Sequence, residues 1–225
     1  MLLILAYKWI KKTILLITSA LLMLAALYMV FIFVPTDAEM GIVQRIFYFH
    51  IPLAWIAFLA FFIVFGSSIM YLWKRDKKWD FIASSSAEVG LVFTTLFLLT
   101  GSIWAKPIWG VWWTWDSRLT SSLILWLIYI AYFIIRSYIA EEQRRARFAA
   151  VVGIIGFIDV PIIALAITLW RTQHPGPVIF QGGLATEMVW TLLVSIAAFT
   201  ALYFLLFRQR VLMKQDEDEL KRLKA

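Results

Sequence analysis

Five of the twelve tryptophans fall between positions 104 and 115, four of them in the run Trp109-Gly110-Val111-Trp112-Trp113-Thr114-Trp115-Asp116. The only two histidines, His50 and His174, bracket that run. Indole rings give wide, flat, apolar contact with little rotamer freedom to lose. Neutral imidazole is a good transition-metal ligand. A tryptophan surface with two imidazoles fits a planar metal complex, and haem is the first candidate, since one imidazole on each side of a porphyrin makes six-coordinate iron. Four-coordinate zinc fits poorly because carboxylates near these residues are few. No cysteine is present, so thiolate metal sites, cysteine nucleophiles and disulfides are excluded. Taken singly, each histidine would ordinarily hydrogen-bond to water or a neighbour, and a pH-sensing role also stays open.

Charges of the right kind lie close by. Arg45 precedes His50 by five residues, Arg118 follows Asp116 by two, and Arg171 precedes His174 by three. Guanidinium pairs bidentately with carboxylate, and haem carries two propionates. Lipid phosphate is the competing partner, and an equal one for Arg45. Asp116 suits the N-cap of a following helix as well as ligand orientation. If 108–116 is a surface helix, Trp109, Trp112, Trp113 and Asp116 share one face, with Ile108, Val111 and Trp115 on the other. Pro107 and Gly110 work against that helix. Pro52 follows His50, and Pro175-Gly176-Pro177 follows His174, restricting the backbone beside both rings. Trp9, Trp55, Trp73, Trp79, Trp170 and Trp190 read as an ordinary aromatic belt, and Lys106 as an interface cation.

The elements that must position these residues are membrane helices. The composition is 63% hydrophobic and 16% charged, against about 25% charged in soluble domains. Apolar runs place six spans at 13–34, 51–73, 87–104, 119–138, 148–170 and 188–207, each long enough to cross roughly 30 Å of hydrocarbon. The first is too long for a signal-peptide core and is expected to be retained. The fold expected is all-α: six transmembrane helices, short loops and a tryptophan-rich outer-face segment at 104–120. The domain expected is 1–213, with a charged cytoplasmic tail at 214–225. Of the 21 Lys and Arg, 17 fall on one side of these spans and 4 on the other. That asymmetry puts both termini in the cytoplasm, and His50, the tryptophan run and His174 outside. The net charge of +7 is thus topological, and nucleic acid is not expected as a partner. Glu88 and Asp159 lie in or near spans, where ionisable groups tend to be functional, but neither has an evident chemical role.

The run 109–120 (Trp-Gly-Val-Trp-Trp-Thr-Trp-Asp-Ser-Arg-Leu-Thr) resembles the "WWD" signature of haem-handling membrane proteins. Arg45-Ile-Phe-Tyr-Phe-His50-Ile-Pro-Leu-Ala-Trp55 resembles the first histidine motif of the cytochrome c maturation protein C family, which six spans and this length also fit. The segment Leu169-Trp170-Arg171 departs from the residues usual there in that family. The resemblance implies that His50 and His174 are axial ligands of haem b carried as transient cargo, on a platform of Trp109, Trp112, Trp113, Trp115 and Asp116. It implies partners as well: a membrane-anchored haem chaperone, and the ABC-type ATPase, permease subunit and small single-span subunit of a cytochrome c maturation system. A bacterial inner membrane is the natural setting, with a mitochondrial inner membrane as the alternative. The expected function is binding and presentation, not enzymatic, since no Walker A, Gly-x-Ser-x-Gly or His-Glu-x-x-His pattern occurs. Two other classes compete: a permease-type subunit translocating haem or another solute, and a structural subunit without ligand. Apart from Asp159-Val160-Pro161, the spans offer little of the broken, polar mid-membrane helix that a transport path needs.

Overall fold

The structure is a computed structural model and describes residues 2–170, 174 and 183–224. Among them it is helical, with no strand. Helix α1 (Leu2–Tyr28) runs into a π turn at Met29–Phe33, and a 3₁₀ turn at Ile42–Ile46 leads into α2 (Phe47–Lys74). Then follow α3 (Lys77–Trp109), α4 (Ser117–Tyr138), α5 (Glu142–Phe157), α6 (Asp159–Leu169) and α7 (Thr186–Lys224). Six segments are long and apolar enough to cross a membrane: Thr13–Phe33, Ile42–Lys74, Lys77–Trp109, Ser117–Tyr138, Glu142–Ala166 and Thr186–Lys224. The fifth combines α5 and α6, which break at Ile158. The chain is a six-span, multi-pass membrane protein.

The spans match the apolar runs, but the helices outlast them. Helix α3 begins ten residues before the expected boundary, because a two-residue turn joins it to α2. Arg75 takes up the left-handed conformation, φ 56°, and the Asp76 side chain caps α3 by accepting from the Lys78 N–H at 3.0 Å. That hydrogen bond is the chief cause holding the exposed Asp76 carboxyl below its usual range. Helix α7 likewise continues through 214–224 without interruption.

Helix α2 is central, packing on α3, α5 and α7. Lipid tails are as apolar as the side chains, so helix association depends on close packing and interhelical hydrogen bonds. Gly90 lets α2 and α3 approach closely: a Cβ there would lie 2.7 Å from the Ala60 Cβ. Between α2 and α4, Phe61 and Tyr129 stack with centroids 3.6 Å apart. The Ser86 hydroxyl ties three helices together, within 2.7 Å of both the Ala60 carbonyl and the Tyr203 hydroxyl.

One end of the bundle is knitted by ions. Arg136 donates two hydrogen bonds to Asp80, at 2.6 and 2.9 Å, joining α4 to α3. Arg210 and Lys214 of α7 both donate to Glu88 of α3, and Lys214 also donates to Ser84 at 2.8 Å. Lys77 reaches Glu142 and Asp218. Glu88 is therefore an interhelical tie. Asp159 opens α6, with a buried Oδ2 that has no hydrogen-bond partner among the described residues. The opposite end gathers the start of α2, the end of α3 and the starts of α4 and α7 around a cavity.

Candidate functional site

The end of α3 forms one wall. Phe97, Gly101, Trp104 and Ile108 recur at spacings of three and four, so one face of the helix lines the cavity. Pro107 lies within α3 and does not end it. The helix stops at Trp109 because Gly110 adopts φ 76°, its N–H bonding the Lys106 carbonyl. That conformation costs glycine little and any other residue more. The Lys106 ammonium donates to the Gly110 carbonyl at 2.8 Å, completing the cap. Residues 110–116 then cross to α4 without regular structure. Asp116 caps α4, accepting from the N–H groups of Arg118 and Leu119 at 3.0 and 3.1 Å and from the Thr114 hydroxyl at 2.9 Å.

The surface helix considered for 108–116, with Pro107 and Gly110 against it, is absent, and the faces it would have made are redistributed. Trp109, Trp113 and Ile108 line the cavity. Trp112 and Trp115 are outside the lining, 58% and 75% exposed, with the Trp115 ring edge-on to Trp113 at 6.0 Å. Asp116 is committed to capping. Arg45 lies outside the cavity lining, its guanidinium over the Phe31 ring at 5.8 Å. Arg118, in the first turn of α4, does line the cavity, and no ion pair holds it among the described residues. Arg171 falls outside the described residues.

Both histidines line this one cavity, His50 from the first turn of α2 and His174 from the connection before α7. The cavity holds about 170 Å³ of internal space and is overwhelmingly apolar. His50 is only 5% exposed. Its ring lies 4.8 Å from that of Phe97 and 5.7 Å from that of Trp104. His174 and Arg118 stand close enough to His50 to act on it electrostatically. His50 Nδ1 lies 3.1 Å from the Thr100 hydroxyl oxygen. His174 is half-buried.

The donor set fits a porphyrin with carboxylate edges. Two imidazoles can take the iron, tryptophan and phenylalanine faces can take the macrocycle, and Arg118 can take a propionate. The Trp104 and Trp113 indole N–H groups are buried and have no hydrogen-bond partner among the described residues. Buried donors are rarely left unsatisfied, and two on residues that line one cavity suit a ligand bearing acceptors. Sequence reasoning missed Gln44, Phe97, Thr100, Gly101 and Met188. The one signal available was register: 97, 101, 104 and 108 fall on a single helical face.

Comparison with known proteins bears on the same site. The family profile described as "Heme exporter protein C" matches residues 3–224. A "Heme exporter protein C" of Bradyrhizobium diazoefficiens is 38% identical over 172 residues, 75% of this chain and 65% of the relative, so the match spans just under two thirds of that protein. The Escherichia coli K12 protein of the same description is 33% identical, over 76% of this chain and 69% of its own length. A "Putative cytochrome c biosynthesis ccmC-like mitochondrial protein" of Marchantia polymorpha is 30% identical, over 84% of this chain and 82% of its own length.

Proposed function

The chain belongs to the heme exporter protein C family, which handles haem for cytochrome c maturation, and from that premise we propose that it binds haem b as transient cargo at the outer face of the membrane and presents it to a membrane-anchored haem chaperone. The observation that carries the reading is that the only two imidazoles, far apart in sequence, line one apolar cavity with Trp104, Trp113 and Arg118.

When bound, haem supplies the iron that two imidazoles can ligate and the vinyl groups to which the chaperone attaches. The residues of this chain bind and orient. His50 and His174 hold the metal. Trp104, Trp109 and Trp113 pack the macrocycle and exclude water from it. Arg118 pairs with a propionate, aided by the two unpartnered indole N–H groups. Trp112 and Trp115, exposed beside the cavity, form the platform's outer surface, where the chaperone or lipid would meet it. The 17-to-4 division of basic residues supports an outer cavity and cytoplasmic termini. The ATPase, permease and single-span subunits of the maturation system are the remaining proposed partners, in a bacterial inner membrane.

Absorption spectra test the reading. The full-length protein, purified in detergent with haem supplied, should give a six-coordinate low-spin spectrum. His50→Ala and His174→Ala should each convert it to five-coordinate or haem-free protein at unchanged expression. A spectrum indifferent to both substitutions refutes the site.

A further inference from the structure

We propose that Thr100 and Gly101, consecutive on α3, set the tautomer and ring position of His50, so that its Nε2 faces the cavity without a proton. The inference rests on reading His50 as an iron ligand and names the residues that make it one. The Thr100 hydroxyl oxygen lies 2.8 Å from the Leu96 carbonyl and 3.1 Å from the Phe97 carbonyl. Carbonyls only accept, so the single hydroxyl hydrogen is given to them. What Thr100 Oγ1 has left for His50 Nδ1, 3.1 Å away, is a lone pair. Nδ1 must then carry the proton and donate. In a neutral imidazole that leaves Nε2 as the bare nitrogen, the form that ligates a metal.

Gly101 makes the approach possible. A Cβ at position 101 would fall 2.9 Å from His50 Cε1, 3.6 Å from Nδ1 and 3.9 Å from Nε2. The α3 backbone therefore abuts the ring edge between its two nitrogens, and any larger residue would push the ring off Thr100. Glycine in a helix interior is otherwise a poor choice, so Gly101→Ala should not weaken α3 itself. Phe97 and Trp104 confine the ring on the same helix. Partners of this kind commonly alter metal affinity about 10- to 100-fold when removed.

The test begins with haem-free, full-length protein carrying ¹⁵N-histidine. With only two histidines, long-range ¹H–¹⁵N spectra contain two ring systems, assigned by His174→Gln. His50 should show a protonated Nδ1 and a bare Nε2. Thr100→Val, nearly isosteric, should mix the tautomers, while Thr100→Ser should keep the wild-type pattern. Haem titration should then show roughly 10- to 100-fold weaker binding for Thr100→Val, near-wild-type binding for Thr100→Ser, and a perturbed axial-ligand spectrum for Gly101→Ala. A wild-type His50 protonated at Nε2, or a Thr100→Val protein with unaltered tautomer and affinity, overturns the proposal. A His50 with the stated tautomer in a protein that never ligates haem through it upholds the positioning role and removes the haem reading instead.

Discussion

Replacing Arg118 with Gln isolates its role from that of the rest of the cavity. The guanidinium lines the cavity, while Asp116, two residues away, spends its carboxylate on the Arg118 and Leu119 N–H groups and the Thr114 hydroxyl. Capping therefore leaves the arginine side chain available to an incoming carboxylate. A hydrogen bond to a charged group contributes about 1.5–3 kcal/mol, and about 1.4 kcal/mol is tenfold in Kd. Losing one should weaken haem binding roughly 10- to 100-fold. The assay is a spectrophotometric titration with two ligands, haem and its dimethyl ester, whose propionates carry no charge. Wild type should prefer haem to the ester by that factor, and Arg118→Gln should bind both about equally. If the substitution weakens the ester as much as haem, Arg118 acts by packing and the carboxylate pairing is refuted.

Two further outcomes concern the frame. Arg136→Leu strands the Asp80 carboxylate, only 7% exposed, and should lower stability by about 3–5 kcal/mol, most of it recovered in the Asp80→Leu, Arg136→Leu double variant; equal thermal unfolding midpoints for single and double variants would contradict the buried pair. The chain has no cysteine, so single cysteines report sidedness cleanly: in intact cells a membrane-impermeant maleimide should label Trp115→Cys and reach Arg144→Cys only after permeabilisation, and the reverse pattern would invert the topology.

The spans were legible because a bilayer demands about twenty apolar residues in succession. Their helical limits were not, because that demand marks the thickness of hydrocarbon and not the end of a helix. Helix α3 starts at Lys77 on an Asp76 cap, and α7 persists to Lys224 with Lys214 and Asp218 bonded to α3. Both extensions are tied together by ion pairs. Within the site, the histidines and Arg118 could be placed because topology alone puts them at one end. A helix over the tryptophan run was only one option from face periodicity, with Pro107 and Gly110 against it, and Gly110 decides the matter: its positive φ ends α3. For Arg45, proximity in sequence to His50 left propionate and lipid phosphate level, and its place over the Phe31 ring has no signature in the sequence. Thr100 and Gly101 escaped notice because a helical threonine ordinarily bonds the preceding turn, as Thr94 and Thr95 do here. Its second use, toward another helix, has no signature in one chain.

The two-residue turn at Arg75–Asp76 makes α2 and α3 arms of matched length. From His50 to Lys74 and from Lys77 back to Thr100 each arm measures about 35 Å at 1.5 Å per residue. An indel in either arm alone would swing everything beyond it by about 100° and turn the imidazole toward lipid. Length change in this hairpin is tolerable only when both arms change together, so natural variation there should come as paired insertions or not at all.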